Sequence, residues 1–430
     1  MPTVQREFFA YTESVAPESP EAAFIEKIRR FDGFDQTSAE TVLPCETRAP
    51  VPILTNEFWT SKQRAGHPLH EVSYRACFKP QLPRFFIARL TAPGDLVYDP
   101  FMGRGTTLLE AALLDRAVAG CDISPLGAVL TGPRLAPPTP VAIERRLGEI
   151  DWTTAEPEDL REDLLVFYHP DTLRALGALR RHLRAQGTLD PVDNWIRMIA
   201  TNRLSGHSPG FFSVYSLPPN QAVSIDRQRK INAKRNQTPP PRDVPAIILK
   251  KSRQLLKTVS AEDRRRLHAA AATARLLTRS CDETPEIASG TVQLVVTSPP
   301  FLGIVDYKYD NWLRCWFNNI DAKTVPVWQF NRPKQWEEAM SRVFTELWRI
   351  LRPGGWVAFE VGEVLKGTVN LEEIVVPLAE SAGFVPVLVM VNQQEFTKTA
   401  NCWGVNNNKG GTNTNRIAVL RKPEGRAKRR

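Results

Sequence analysis

The chain has 430 residues, 42% of them hydrophobic, which is enough for a sizeable core and suits one large or two medium domains. Its 56 Lys and Arg exceed its 47 Asp and Glu, and the formal net charge of +9 favours polyanionic partners without proving one. The six cysteines are scattered without a CxxC pair, which disfavours a zinc site and a disulfide framework. We therefore expect reduced thiols, a cytoplasmic location, no metal, and neither a membrane span nor a secretory leader.

The N-terminal half begins with an arm or small helical cap, predicted for residues 1–50 because they are mixed and mostly polar. Residues 51–135 predict the first part of an α/β core, in which LVYDP and AVAGCDI are short strands on either side of the helix TTLLEAALLDRA. This order opens a doubly wound, mostly parallel sheet of the Rossmann-like class. The stretch PRLAPPTP (133–140) breaks the pattern and marks a boundary.

Residues 136–275 predict an inserted domain that is helical towards both ends and rich in loops in the middle, since strand–helix alternation is absent there. The second part of the core covers 276–423, where ARLLTRSCD and VQLVV read as strands and PVLVMV and RIAVL as a C-terminal antiparallel hairpin. Residues 424–430 form a basic tail. A helix that ends at Pro353-Gly354-Gly355, before the strand WVAFEVG, is predicted from apolar residues at helical spacing: Met340, Val343, Phe344, Leu347 and Leu351.

A nucleotide-like cofactor site is predicted at DPFMGRGTT. Gly103 and Gly105 permit a tight turn and a close approach of the backbone to a ligand. The helix that begins near Thr106 offers N–H groups and its positive dipole end to a carboxylate. Asp122 ends the next strand, where an acid can accept both ribose hydroxyls. The alternatives are a plain glycine-rich turn, or a dinucleotide or phosphate site, which lacks support because the third glycine of GxGxxG and a Walker lysine are absent.

A second motif, TSPPF, follows the buried strand VQLVV. Its residue types are suited to binding the exocyclic amine of a nucleic-acid base. The lone pair of a base amine is delocalised into the ring, so a catalyst must hydrogen-bond the amine hydrogens while the nitrogen becomes tetrahedral. Ser298 offers a hydroxyl acceptor, and Pro299 offers a backbone carbonyl whose direction Pro300 stiffens. Phe301 can stack on a base extruded from a duplex. The alternative is an ordinary rigid turn.

At these residues the chain resembles the amino-group DNA methyltransferases of bacterial modification systems. DPFMGRGTT is similar to their cofactor motif, TSPPF to their catalytic motif, and HEVSYRACFKPQLPRFFI (70–87) to the segment that covers the methionine end of S-adenosylmethionine. Family members with Ser before the two prolines usually methylate cytosine at N4, and those with Asp or Asn usually methylate adenine at N6, so Ser298 implies N4. The resemblance implies these cofactor-binding residues: Tyr74, Phe78, Pro80, Asp99, Pro100, Phe101, Gly103, Gly105, Thr106, Thr107, Asp122, Ile123 and Asp282.

The resemblance covers only part of the chain. It spans about 67–130 and 276–422, and it does not cover the arm or the insert. The insert begins after the Asp122 strand and before the Asp282 strand, whereas we would expect it immediately before the catalytic strand. This difference weakens the assignment of Asp282 as an adenine contact more than it weakens the assignment of Asp122. A turn cap in DETPE is the alternative for Asp282.

The resemblance implies that the substrate is a cytosine flipped out of double-stranded DNA and that the partner is a cognate restriction endonuclease. It also implies that the protein is associated with the nucleoid. Three alternatives stay open: an N6-adenine methyltransferase on the same fold, a methyltransferase for RNA or protein amines, and a catalytically silent DNA-binding protein. Intact glycine and SPP motifs favour catalysis over the silent protein.

The insert supplies the predicted DNA contacts. Phosphate neutralisation needs cationic side chains, and Arg can also read guanine edges. Since no other recognition segment is evident, we expect the basic loop-rich stretch to contact DNA rather than to be only a solvated surface. Its predicted DNA-binding residues are Arg227, Arg229, Lys230, Lys234, Arg235 and Arg242.

Overall fold

The structure, a computed structural model, describes residues 19–44, 49–59, 66–75, 77–156, 159–217, 221–300, 307–330, 332–361, 363–364, 369–393 and 414–425. The strands are β1 (Ala39–Leu43), β2 (Val51–Asn56), β3 (Leu96–Asp99), β4 (Ala117–Asp122), β5 (Arg275–Thr278), β6 (Val292–Thr297), β7 (Leu351–Val361), β8 (Glu363–Val364), β9 (Val369–Asn370), β10 (Val385–Gln393) and β11 (Thr414–Arg421). The helices are α1 (Pro20–Arg29), α2 (Gln81–Leu90), α3 (Thr106–Leu113), α4 (Leu126–Leu135), α5 (Pro140–Glu149), α6 (Pro170–Ala185), α7 (Pro191–Arg203), α8 (Ile225–Arg235), α9 (Val244–Leu256), α10 (Ala261–Thr273), α11 (Tyr307–Phe317), α12 (Pro333–Ile350) and α13 (Glu372–Ser381).

A 9-stranded sheet organises the described part of the chain, in the order β1-β2-β10-β11-β7-β6-β3-β4-β5. Strands β7, β6, β3, β4 and β5 run parallel to one another, whereas β11 lies antiparallel between β7 and β10. The predicted Rossmann-like, mostly parallel sheet with a C-terminal antiparallel hairpin is therefore confirmed. The chain order reverses between β3 and β6, and sheets of this kind bind ligands at the carboxyl ends of the strands beside such a reversal.

Two apolar clusters cover the two faces of the sheet. Successive strand residues point to opposite faces, so Leu294 and Val296 of β6 join one cluster and Val295 joins the other. The apolar stripe of α12, which includes Met340 and Phe344, packs in the second cluster, as its helical spacing predicted. Both faces of the strands that carry the two motifs are therefore buried, which holds the strand ends in place.

The end of α12 differs from the prediction. The helix ends at Ile350, and β7 already begins at Leu351 and runs through Pro353 and Gly355. A residue that precedes proline avoids helical backbone angles, so Arg352 is extended and the strand starts before the Pro-Gly-Gly turn.

The first 50 residues contain more structure than the predicted arm or helical cap. Strand β1 pairs antiparallel with β2, with Leu43 opposite Val51, so the predicted boundary at residue 50 lies between two paired strands. Strand β2 in turn pairs in parallel with β10 and extends the sheet. Helix α1 buries Phe24 and Ile28. The division of the chain into domains stays a prediction.

Helices α4 to α10 occupy the crossover from β4 to β5, which are adjacent parallel strands with Asp122 opposite Thr278. The middle of this segment was predicted as loop, and that prediction is wrong for the basic stretch, which forms α8. The Ser224 side chain accepts a hydrogen bond from the Arg227 N–H at 3.2 Å and caps the helix start. Asn236, at φ 45°, ends the helix in the left-handed conformation. No helix within the described ranges has the length and apolar character needed to cross a bilayer.

Candidate active site

A pocket lies at the carboxyl ends of β3, β4 and β6, where the chain order of the sheet reverses. It encloses about 1020 Å³ of space, part of which is open to solvent. Ser298 and Pro300 line it together with residues from the glycine turn, so the structure brings both motifs to one site. The predicted cofactor residues that line it are Tyr74, Phe78, Asp99, Pro100, Phe101, Gly103, Thr106, Asp122 and Ile123. No group of three or more His, Cys, Asp or Glu placed to hold a metal occurs among the residues described.

Other predicted residues lie behind the pocket wall. Gly105 has φ +70°, and a Cβ there would lie 2.3 Å from the Thr131 hydroxyl oxygen, so the close packing of α3 on α4 requires glycine. The buried Thr107 hydroxyl donates to the Val296 carbonyl at 3.0 Å and ties α3 to β6. Pro80 is buried at the start of α2. Phe301, predicted to stack on the target base, lies outside the described residues.

The Asp122 carboxylate is fixed by the glycine turn. The N–H of Gly103 donates to Oδ2 and the N–H of Ser124 donates to Oδ1, each at 2.8 Å. Burial raises the pKa of Asp122, and these two hydrogen bonds oppose the rise. Each carboxylate oxygen can accept more than one hydrogen bond, so Asp122 keeps acceptor capacity towards the pocket.

Asp282, predicted to contact adenine, is engaged by two neighbouring side chains. Its carboxylate accepts hydrogen bonds from the Ser280 hydroxyl at 2.5 Å and from Arg342 Nε at 2.9 Å. Of this segment, the described pocket lining includes Ser280 and Cys281 but not Asp282. A contact between Asp282 and a ligand stays a prediction that this arrangement does not favour.

Asp99 joins the two motifs beneath the pocket. It is 2% exposed, and its Oδ1 accepts from the Thr297 hydroxyl at 2.6 Å and from the Phe101 N–H at 3.1 Å. Burial raises the pKa of Asp99 to about 7, although these hydrogen bonds oppose the rise. The end of β3 and the end of β6 are therefore held at a fixed separation.

Ser298 lies beside a buried acid that the sequence analysis did not single out. Glu360 of β7 is 6% exposed and accepts a hydrogen bond from the Asn415 amide. Burial raises the pKa of Glu360 to about 7, and the Asn415 amide and the Ser298 hydroxyl oppose the rise. A single acid within the apolar strand WVAFEV was the available signal. Nearby, Trp336 Nε1 donates to the Pro300 carbonyl at 3.0 Å and anchors the proline pair on α12.

The remaining wall comes from residues that no motif marks. Asn311 and Cys315 of α11 line it, as does Trp328 in the segment between α11 and α12. The rings of Trp328 and Phe101 meet edge to face with centroids 6.1 Å apart. Arg75 also lines the pocket, and it donates to the Asp310 carboxylate at 2.7 Å. Spacing in the sequence could not show these contacts, because they depend on how α11 packs.

The predicted DNA contacts divide into two sets on α8. Arg227, Lys230 and Lys234 recur at i, i+3 and i+7, which places them on one face, and all three are exposed. None of the three forms an ion pair with another described residue. We call these three residues the basic stripe.

The other basic residues of α8 have partners. Arg229 donates to the Asp226 carboxylate at 2.8 Å, and Arg235 lies over the Tyr215 ring at 3.8 Å from its centroid. Arg242 lies beyond the helix, and its N–H donates to the Thr172 hydroxyl at 2.8 Å. These three residues are positively charged, but their side chains or backbone groups also make contacts within the protein.

The start of α8 is anchored on α11, which follows the SPP segment in the chain. Trp312 Nε1 donates to the Val223 carbonyl at 3.2 Å, and the Ala222 N–H donates to the Asp310 carbonyl at 2.9 Å. Because Asn311 of the same helix lines the pocket, the basic helix and the pocket share one supporting element.

Solved structures show only distant likeness. The rRNA methyltransferase aviRa of Streptomyces viridochromogenes is 13% identical, over 83% of this chain and 90% of that one, with a TM-score of 0.33. A Thermus thermophilus protein described as a candidate DNA modification methylase is 22% identical, over 33% of this chain and 50% of that one, with a TM-score of 0.20. Scores this low carry no argument about function.

Sequence relatives are more informative. Type II methyltransferase M.MjaII of Methanocaldococcus jannaschii is 34% identical over 82 residues, which are 19% of this chain and 16% of that protein. Type II methyltransferase M.MvaI of Kocuria varians is 28% identical over 113 residues, which are 26% of this chain and 23% of that protein. The chain thus spans a small part of both relatives. Residues 35–126 match the family described as DNA methylase, which groups N6- and N4-methyltransferases. This match and the two relatives show that part of the chain is similar to the N4/N6 amino-methyltransferases.

Proposed function

We propose that this protein transfers a methyl group from S-adenosylmethionine to N4 of a cytosine flipped out of double-stranded DNA. The observation that carries the proposal is the position of Ser298, which lines the pocket together with the glycine turn and Asp122 and acts on the pKa of the buried Glu360. A hydroxyl linked to a buried carboxyl can hold an amine and receive its proton. A plain structural turn needs neither group.

The pocket suits S-adenosylmethionine. Asp122 retains acceptor capacity for the ribose hydroxyls, and Gly103 at φ +50° lets the backbone approach a ligand. Tyr74 and Phe78 supply apolar surface on the side that the family resemblance assigns to the methionine end. When bound, the cofactor supplies an electrophilic methyl group, which the amine nitrogen takes up as the carbon–sulfur bond breaks.

The chain's own groups prepare the amine. A Ser298 hydroxyl that donates its hydrogen to Glu360 keeps the lone pairs of its oxygen available to an amine hydrogen. The Pro299 carbonyl offers the second acceptor. As positive charge develops on the nitrogen, both acceptors bind it more strongly, which lowers the barrier. The released proton can pass to Glu360 through Ser298, and a pKa near 7 suits a group that accepts a proton at neutral pH.

Cytosine is proposed over adenine because serine precedes the two prolines, a pattern that in the resembling enzymes usually accompanies N4 methylation. N6-adenine methylation on the same fold is the second candidate, since the same two acceptors fit either exocyclic amine. The family that residues 35–126 match groups both activities.

Duplex DNA is proposed as the substrate because the basic stripe on α8 is exposed and without ion pairs to the described residues, and because α8 rests on the helix that borders the pocket. Cationic side chains in such a stripe can neutralise phosphates along one strand. On this view, residues 136–275 form the target-recognition domain. The partner endonuclease remains an expectation from the resemblance, and the cytoplasmic location remains an expectation from the cysteine pattern.

Labelled methyl transfer tests the proposal. Purified protein is incubated with methyl-labelled S-adenosylmethionine and, in separate reactions, with duplex DNA or RNA, and the macromolecule is recovered and counted. We expect label in duplex DNA, and much less with Ser298→Ala protein. Label in RNA or in the protein itself, or no label in any substrate although DNA binds, would contradict the proposal.

A further inference from the structure

The pocket wall at residues 71–75 and 77–78 is irregular backbone held by a buried arginine. Arg104 lies between the two glycines of the turn and is 5% exposed. Its Nη1 donates to the Val72 carbonyl at 2.8 Å, its Nη2 to the Phe78 carbonyl at 3.3 Å, and its Nε to the Thr106 hydroxyl at 3.2 Å. Phe78 and Thr106 line the pocket, so this guanidinium lies directly behind the lining.

A second buried arginine supports the first. Arg134 of α4 is 1% exposed; it donates to the Leu69 carbonyl at 3.1 Å and to the backbone carbonyl of Arg104. Burial lowers the pKa of Arg134 to about 9, and the Arg104 charge contributes to this lowering, yet at neutral pH this arginine stays protonated. Two positive charges are therefore buried side by side.

Neither arginine forms an ion pair with a carboxylate in the described part of the chain. Their hydrogen bonds go to backbone carbonyls and to one hydroxyl. Carbonyl dipoles offset only part of the free-energy cost of burying a charge, and a nearby anion would offset more of it. The acids at this pocket, Asp99 and Asp122, sit at strand ends and already accept hydrogen bonds of their own.

The charge of Arg104 reaches the pocket surface. Cys77, which lines the pocket, has its thiol pKa raised by burial and lowered in part by Arg104. Asp99 and Asp122 act on the same thiol in the opposite direction, so the pocket wall at Cys77 lies between cationic and acidic groups. A ligand with a carboxylate at one end and hydroxyls at the other would match both.

We propose that Arg104 and Arg134 form a buried electrostatic selector that makes the pocket prefer ligands with a carboxylate over otherwise identical ligands without one. This inference rests on the proposed use of S-adenosylmethionine and deepens it. Both residues act as positioning residues, through charge and through the wall that they hold, and neither needs to touch the ligand.

The test compares two ligands that differ only in the carboxylate, S-adenosylhomocysteine and its decarboxylated analogue. Calorimetry gives the dissociation constant of each for the parent protein, Arg104→Met, Arg104→Lys and Arg134→Met. The matched control is Arg421→Met, because Arg421 is also buried but lies where β11 ends, at the opposite end of the sheet from the pocket. The ratio of the two dissociation constants is the readout, because a merely structural role would weaken both ligands alike.

We expect the parent to favour the carboxylate ligand. Arg104→Met and Arg134→Met should each reduce that preference roughly tenfold, the change expected when one charge is lost near a partly screened carboxylate. Arg104→Lys and Arg421→Met should keep it, even if their stability falls. An unchanged ratio in both Met variants overturns the inference and leaves the proposed function intact. A parent that binds neither ligand overturns both.

Discussion

The Ser298 hydroxyl lies beside the buried carboxyl of Glu360 and opposes the rise of its pKa. The contact follows from strand register: Thr297 of β6 lies opposite Phe359 of the parallel strand β7, so the next residue of each strand is brought together. One residue comes from the SPP segment and the other from a strand that no motif marks. The pairing places a proton acceptor behind the proposed amine-binding hydroxyl.

Replacing Ser298 with alanine should leave cofactor and DNA binding nearly unchanged and slow methyl transfer by one to three orders of magnitude. One acceptor that strengthens in the transition state is lost, which costs roughly 1.5–4 kcal/mol in a dry site. Single-turnover kinetics measures the rate directly. Ser298→Thr is the matched control, because it keeps the hydroxyl and should be faster than the alanine variant. An alanine variant at full speed would remove Ser298 from the chemistry.

Glu360→Gln should slow methyl transfer roughly a hundredfold, the scale of a positioned general base. The parent rate should rise with pH through about 7, since burial raises the pKa of Glu360 to about 7 and only the ionised carboxylate accepts a proton. The Gln variant should lose that rise. Rate profiles from about pH 5 to about pH 9 give the comparison.

The two changes should not add, because they interrupt one hydrogen-bonded pair. The double variant Ser298→Ala with Glu360→Gln should therefore be little slower than Ser298→Ala alone. Fully additive losses, or a parent profile that is flat near neutral pH, would separate Glu360 from the reaction.

Asp122→Ala should weaken S-adenosylmethionine binding by roughly 1–3 kcal/mol, because the ribose loses a charged acceptor. The Gly103 N–H also loses its partner, so the turn itself becomes less ordered. Calorimetry on folded protein measures the affinity. Asp282→Ala is a useful comparison, since its carboxylate is engaged by Arg342 and the change should affect binding less. Equal affinities for the parent and Asp122→Ala would exclude Asp122 from the cofactor site.

Neutralising the basic stripe, Arg227, Lys230 and Lys234, should weaken DNA binding and reduce its salt dependence. Each phosphate contact contributes about 0.9 to the slope of log K against log salt, so the slope should flatten by up to about 2.7. Neutralising Arg229 and Arg235 is the control, because Asp226 and Tyr215 already engage them. If the control pair flattened the slope as much as the stripe did, the division of α8 into two sets would be wrong.

Local patterns predicted the parts of the pocket that directly follow a strand of the sheet. The turn with Gly103 and Gly105, the acid at the end of β4 and the SPP segment after β6 each follow a strand, and parallel strands bring their carboxyl ends to one edge. That geometry needs only strand order. The hairpin of β10 and β11 was predictable for a similar reason, from its two apolar strands.

Contacts between distant segments could not be predicted in this way. The position of Glu360 beside Ser298 depends on the register of β6 and β7, and the contacts of Arg104 depend on how the Val72 and Phe78 carbonyls are placed over the glycine turn. The basic stretch was expected to be loop because its composition is polar. It is helical because Ser224 and Asn236 cap the two ends of the helix. The buried Gln228 also ties the helix to its surroundings, since its side-chain amide donates to the Tyr215 carbonyl at 3.0 Å.

The identity of the methylated nucleoside tests the central claim most directly. Duplex DNA methylated by the purified protein is digested to nucleosides and separated by mass-resolved chromatography against authentic standards, with Ser298→Ala protein as the control. We predict that the parent protein forms N4-methylcytosine and that the Ser298→Ala variant forms much less of it. N6-methyladenine would contradict the cytosine assignment while sparing the fold and cofactor site, and the absence of any methylated base would contradict the proposed activity itself.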